Sequence, residues 1–326
     1  MITEKMYSVA IRKRKNINDF FWNNDDFVFQ ELNIDCQKRY WLADPFLFEK
    51  DGKTYVFYEA FDLIMRKGKI GYSIIDENED KLPLHIILDE PYHLSFPNIF
   101  EFKGTIYIMP ESCGDRSIKL FRAISFPEKW EEHEILLSNV YACDTIVMQD
   151  FFGVSYLIAN EMYKGMMPHG NYPSCWVKNV CYKLSEDFSV ESAGTLLAEG
   201  DCGIRNAGNS FFNKGKLYRI GQNCPNKQYG KGLVLFEVNS IVPYKETLLW
   251  IKDYDSFNGH IKSINTEKLI GVHTYNFSDH YEIIDFSQIR RLCYTTYALK
   301  KIRKWNKNTK LFFVRIINKI YRTVLQ

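Results

Sequence analysis

Asp44, Glu111 and Asp144 are the carboxylates whose placement points to chemistry. Asp44 opens the apolar run ADPFLF, Glu111 closes the run TIYIMPE, and Asp144 opens CDTIVM. Asp44 has a partner, Glu59, which ends the run following the Asp51-Gly52 pair. Asp-Gly between apolar runs is a strong hairpin signal. An antiparallel hairpin brings the start of its first strand and the end of its second to one open end. Asp44 and Glu59 are therefore expected side by side, although a turn separates them.

The elements that must position these acids repeat along the chain. Tyr55 and Glu59 follow Gly52 by three and seven residues; Tyr107 and Glu111 follow Gly104, Tyr156 and Asn160 follow Gly153, and Tyr218 and Gln222 follow Gly215 at the same offsets. A fifth, degenerate copy is read over residues 260–276, with its turn near Glu267-Lys268. Turns recur about every 50 residues, the period of four-stranded propeller blades. Each copy is followed by a second strand pair, and residues 7–11 are expected to supply the outer strand that copy five lacks, closing the ring. The expected fold is all-β, a five-bladed β-propeller over residues 1–286 with a C-terminal basic amphipathic helix in residues 287–326.

This architecture gathers the polar residues at the open hairpin ends around one axial mouth. They are Asp44, Glu59, Glu111, Asp144, Asn160, Glu161, Arg205, Gln222, His260 and His273. Crowded carboxylates push one another's pKa values apart, so one stays ionised while another keeps its proton. Chemistry at an anomeric carbon needs that division. Asp44 is assigned as base or nucleophile, Glu111 as acid and Asp144 as the group that tunes them. Glu59, Asn160, Arg205, Gln222, His260 and His273 are assigned to substrate binding. The string Asp253-Tyr254-Asp255 falls in an expected outer loop and is a weak signal.

Composition narrows the rest. None of the eight cysteines forms a C-x-x-C pair, so no metal site is expected, and reduced thiols in the cytoplasm are. No G-x-G-x-x-G, P-loop or G-x-S-x-G motif is present, and no cofactor is expected. There is no signal peptide and no apolar stretch of about 18 residues. Eleven of the 42 basic residues follow Asp285 and no acidic residue does, leaving 31 basic against 40 acidic up to that point. Phe313, Ile316, Ile317, Ile320 and Val324 recur at helical spacing within this basic tail. Residues 294–326 are therefore expected to meet an anionic membrane surface, which places the protein peripherally on the inner membrane. Packing on the propeller is the alternative. The β-domain lacks a basic aromatic platform, so nucleic acid is not an expected partner. Insertion 162–176 is expected to form a lid or a surface loop.

ADPFLF at 43–48, EPYHLSFPNIFE at 90–101, PES at 110–112, the stretch 205–224, YGK at 229–231 and HTYN at 273–276 together resemble a known family. It is the N-terminal domain of plant glucosamine inositolphosphorylceramide transferases, related in shape to the propellers of glycoside hydrolase families 43 and 32. The resemblance runs roughly over residues 7–286. It implies work on sugars and, in bacteria, surface-polysaccharide synthesis such as capsule or O-antigen. The hydrolase-like propellers use an aspartate opening the first blade, which Asp44 matches, with a second aspartate and a glutamate on later blades. Blade two opens with Phe96-Pro97 instead of an acid. In the plant proteins the transfer chemistry is assigned to a separate C-terminal domain. Three readings follow: an enzyme acting on a lipid-linked glycan, a glycan-binding module serving a partner glycosyltransferase, or a glycosidase.

Overall fold

The computed structural model describes residues 2–162, 176–265 and 267–305. Five sheets stand around one axis. Blade one is Tyr40–Lys50, Lys53–Asp62, Lys67–Ile74 and His85–Leu88, from the axis outward. Blade two is Ser95–Phe102, Thr105–Ser112, Ser117–Ser125 and Lys129–Ser138. Blade three is Ala142–Gln149, Ser155–Glu161, Val177–Lys183 and Thr195–Gly200. Blade four is Phe211–Asn213, Lys216–Gln222, Gly232–Ser240 and Lys245–Asp253. The five-bladed propeller read from the repeat is the observed fold.

The hairpin turns form as their residue types demand. Asp51 and Gly52 both take positive φ (51° and 72°), as do Lys103 and Gly104 (48° and 76°) and Lys214 and Gly215 (50° and 76°). Two successive left-handed residues match the twist of the flanking strands, and glycine takes the second place without a Cβ penalty. Between blades the core is aromatic and aliphatic: Phe46, Phe57, Phe96, Ile108, Ile146 and Ile158 belong to one continuous cluster.

Blade five closes the ring. The N-terminal strand Thr3–Lys13 pairs along its whole length with Tyr281–Arg291. Residues 7–11 do close the ring, within a strand longer at both ends, but not as the outer strand expected: Phe29–Glu31 pairs outside it. The last strand runs to Arg291, past the expected domain edge at 286. The inner hairpin of this blade departs from the expected one. Its axial side is Leu269–Gly271 and Tyr275–Phe277, both paired with Tyr281–Arg291. The turn therefore lies near Ser278, not Glu267-Lys268. Ile261–Lys262 lies at the outer edge instead, parallel to Phe29–Glu31.

The C-terminal helix begins as expected, at Tyr294–Trp305. It packs on the propeller: Thr296 Oγ1 donates to the Lys38 carbonyl (2.7 Å), Lys300 pairs with Glu4 (2.9 Å), and Arg303 donates to the Ile64 carbonyl (2.9 Å). Ile64 lies in the turn that follows Lys53–Asp62, so the helix rests at the same end of blade one as Glu59. No helix among the described residues is long and apolar enough to cross a membrane. The expected continuation of the helix over 306–326, and nearly all of insertion 162–176, lie outside the described residues.

Candidate active site at the axial mouth

The three innermost strands that open on Asp44, Phe96 and Asp144 share one device. Each pairing slips at this point, between Ala43 and Phe46, Ser95 and Asn98, and Cys143 and Ile146. At each slip one residue takes a left-handed backbone: Asp44 (φ 49°), Phe96 (φ 45°) and Asp144 (φ 42°). A bulge of this kind re-aims a side chain, and non-glycine residues adopt it at a cost of about 1–3 kcal/mol. Strain of this sort concentrates at functional sites.

Opposite each bulge, the second strand presents a matching polar residue. Glu59 pairs with Ala43, Glu111 with Ser95, and Asn160 with Cys143. Gln222 donates its N–H to the Arg205 carbonyl (2.8 Å), and Asp285 donates its own to the Thr274 carbonyl (3.4 Å). The mouth is thus ringed by Glu59, Glu111, Asn160, Gln222 and Asp285, one from each blade.

Their neighbours set their chemistry. Asp44 is buried, and its Oδ1 lies 3.2 Å from His273 Nε2. Its Oδ2 accepts the Phe96 N–H (3.2 Å). Burial raises its proton affinity above that of an ordinary aspartate, and His273 pulls part of the way back. His273 Nδ1 lies 2.8 Å from Asp285 Oδ2, so both ring nitrogens face carboxylates. Against the cost of burial, Asp285 first and then Asp44 raise the imidazole to about 10. Asp285 is held below the usual range against its own burial, by His273 and by backbone N–H donors.

Glu111 is raised to about 8, by burial first and then by Asp144 beside it. Near neutral pH it carries its proton. Glu59 is raised well above the usual range by burial and by Asp44 and Glu111. His93 accepts the Gly68 N–H at Nδ1 (2.9 Å), so its proton sits on Nε2, 3.4 Å from Glu59 Oε1. Gly68 has to be glycine: a Cβ there would meet the Leu94 carbonyl oxygen at 2.2 Å and Glu59 Oε1 at 2.6 Å.

Asp144 is fixed differently. Arg205 Nε donates to its Oδ2, as does Gln222 Nε2 (3.0 Å). Arg205 Nη1 is buried with no hydrogen-bond partner among the described residues. The guanidinium lies 5.0 Å from the Tyr229 ring, which also stands 4.9 Å from His273 and has Lys5 Nζ over it at 5.9 Å. Aromatic faces flank the cluster: Tyr7 stands 4.9 Å from His273 and 5.3 Å from Trp41, which stacks on Phe61 at 4.4 Å. Such faces suit the apolar side of a sugar ring.

The structure brings together Asp44, Glu59, Glu111, Asp144, Arg205, Gln222 and His273. Three assignments change. His260 is not at the mouth: it stacks on Phe27 (4.2 Å) at the outer edge of blade five and bonds the Phe27 carbonyl through Nδ1 (2.8 Å). Asn160 is at the mouth level but spends its amide on backbone, accepting the Asn206 N–H (2.7 Å) and donating to the Ile204 carbonyl (3.1 Å). Gln222 Nε2 holds Asp144 and the Asn206 carbonyl (both 3.0 Å), so this end of the amide positions an acid, while its Oε1 is buried with no hydrogen-bond partner among the described residues. Glu161 turns aside to Tyr182, and Asp253 is taken by Asn223 (2.5 Å) at an outer strand's end. Asp285, Tyr229 and His93 were missed. Asp285 carried a signal: taking Ser278 in the place of the turn glycine puts Tyr281 and Asp285 at the repeat's offsets of three and seven.

Two sets of donor atoms lie within 4.8 Å of one another, Asp44 with His273 and Asp285, and Glu111 with Cys143 and Asp144. In the first set both carboxylates face His273, and in the second Asp144 is held by Arg205.

The model of the N-terminal region of glucosamine inositolphosphorylceramide transferase 1 matches residues 30–265. The chain belongs to this family. The glucosamine inositolphosphorylceramide transferase 1 of Arabidopsis thaliana is 31% identical over 259 residues, which is 71% of this chain and 32% of that protein. The protein of the same name from Oryza sativa subsp. japonica is 28% identical over 208 residues, 63% of this chain and 27% of the other. The chain thus spans about a third of the length of these curated family members. Among solved structures, a GH62 hydrolase in complex with xylotriose aligns with a TM-score of 0.52 at 12% identity, over 84% of this chain and 97% of that one. At that identity the likeness shows that this chain shares the propeller fold, and no more.

Proposed function

We propose that this chain is a carbohydrate-active enzyme of bacterial surface-polysaccharide synthesis, moving a sugar or sugar substituent on a lipid-linked glycan. The observation that carries the reading is one buried mouth holding Glu111 protonated near neutrality and Asp44 as an unusually basic carboxylate. Glu111 gives its proton to the leaving oxygen as the C–O bond breaks. Asp44 removes the proton of the attacking hydroxyl, or attacks the anomeric carbon itself. Asp144, pinned by Arg205, lies beside Glu111 and, after burial, is the next cause of the raised proton affinity of Glu111. Membership of a family named for glucosamine transfer favours transfer, and Phe96 in place of a blade-two acid weighs against ordinary hydrolysis.

The chain works at the cytoplasmic face of the inner membrane in this proposal. The helix that leads into the basic tail rests at the mouth end of blade one, which favours a substrate presented from a lipid surface. The test is complementation in the host. The gene is deleted and restored as wild type or as Asp44→Asn at equal protein level, and the surface polysaccharide is compared by mass spectrometry. Restoration of a missing group by wild type alone supports catalysis, and the mass difference names the group. Restoration by both removes Asp44 from the chemistry.

A second reading has its own support. The aromatic faces of Tyr7, Trp41 and Tyr229 beside the mouth suit a glycan-binding module for a partner glycosyltransferase. Calorimetry with purified glycan separates the two, since this reading requires affinity without product.

A further inference from the structure

We infer that Asp285 is the positioning residue of the mouth, orienting His273 toward Asp44 and holding the backbone of Asp44 across the seam between blades five and one. This rests on the reading of Asp44 as the reacting carboxylate. Asp285 is fully buried and takes donors from two blades. Its Oδ2 accepts the Asp44 N–H (3.1 Å), and its Oδ1 accepts the N–H groups of His273 and Thr274 (both 3.1 Å). The His273 ring meets the same carboxylate through Nδ1 (2.9 Å to Oδ1). One side chain thereby fixes the strained backbone of Asp44 and the ring that touches its carboxylate.

The equivalent residue of blade three shows which part of this work needs a charge. Asn160 also reaches into the following blade and accepts a backbone N–H, that of Asn206 (2.7 Å). A neutral amide therefore suffices to clamp one blade to the next. Asp285 differs in also meeting an imidazole, and an asparagine there would offer one acceptor oxygen where two are in use. The groups facing His273 are Asp285 from its own blade, Asp44 from blade one, Tyr7 from the N-terminal strand and Tyr229 from the blade-four loop. Lys5 lies beyond, over the Tyr7 ring (4.9 Å). Asp285 and Asp44 are the groups among these that hold the imidazole's proton.

The experiment titrates His273 in the full chain by ¹⁵N-detected histidine NMR, in wild type and in Asp285→Asn. The expected wild-type midpoint is about 10, falling toward the ordinary 6.5 in Asp285→Asn. The variant is expected to fold, because asparagine performs the same clamp in blade three, and to lose turnover by about 10²-fold with KM little changed. A His273 midpoint that is the same in both proteins overturns the inference. So does a wild-type midpoint near 6.5, a result available even when the variant does not fold. The NMR readout is independent of catalysis. A shifted His273 together with an active Asp44→Asn leaves the positioning role intact and removes the catalytic one. An unshifted His273 with an inactive Asp44→Asn does the reverse.

Discussion

Asp44 and Asp144 occupy the same bulge in blades one and three, with nearly the same left-handed backbone, yet they are held by different cations. Asp144 is bound by Arg205 and Gln222 from the following blade. A guanidinium never gives up its proton in a protein, so this pair is permanent. Asp44 instead faces His273 from the preceding blade and a backbone N–H from the next. An imidazole can change its charge, so Asp44 alone of the two has a partner able to respond to a reaction. Two copies of one structural element thus acquire separate duties from the blade next door.

The sharpest way to break this comparison is to neutralise Asp44 itself in one variant and the cation that holds Asp144 in another. Asp44→Asn is expected to lower turnover by about 10³-fold while leaving the melting temperature nearly unchanged. Arg205→Met acts oppositely. It leaves Asp144 buried and unpaired, at a cost of about 3–5 kcal/mol in denaturant unfolding. Equal stability losses in the two variants would dissolve the distinction between them.

Glu111→Gln is expected to cost about 10²-fold in turnover. Because Glu111 holds its proton up to about 8, wild-type activity should fall as pH rises through that value. In the glutamine variant the residual rate should lose that limb. Stability should follow pH in the same direction. The folded protein holds protons on Glu111 to about 8 and on His273 to about 10, whereas the unfolded chain releases them near 4.5 and 6.5. Stabilisation from these two groups is complete below those lower values and is lost as pH rises to the higher ones. A melting temperature that climbs between pH 6 and pH 10 would contradict both assignments. The smallest effect is expected at His260. Replacing it by alanine removes one hydrogen bond and a ring contact at the outer edge, costing about 1 kcal/mol with activity unchanged.

Much of the fold was legible because the repeat is carried by turn chemistry. Gly52, Gly104, Gly153 and Gly215 all sit where the chain needs positive φ, and each anchors a tyrosine and a polar residue at fixed offsets. Blade five lacks that glycine. Ser278 stands in its place, so the hairpin was set too early in the sequence, His260 was drawn to the mouth and Asp285 was passed over. The partners of the acids were less legible still. Nothing in the sequence states that Arg205 points at Asp144 or His273 at Asp44, since both contacts cross from one blade to another. They follow from ring geometry, which exists only after all five sheets are in place.

The pairing of Thr3–Lys13 with Tyr281–Arg291 has a consequence during biosynthesis. At about 5–20 residues per second a ribosome takes roughly 15 to 50 s to travel from the first of these strands to the second. Throughout that interval the leading strand has only the short Phe29–Glu31 beside it, paired at Ala10 and Ile11, and the carboxylate that will grip Asp44 has not yet been polymerised. No nascent fragment can hold the mouth assembled, so a prematurely terminated product carries Asp44, Glu111 and Asp144 without the geometry that gives them their proton affinities.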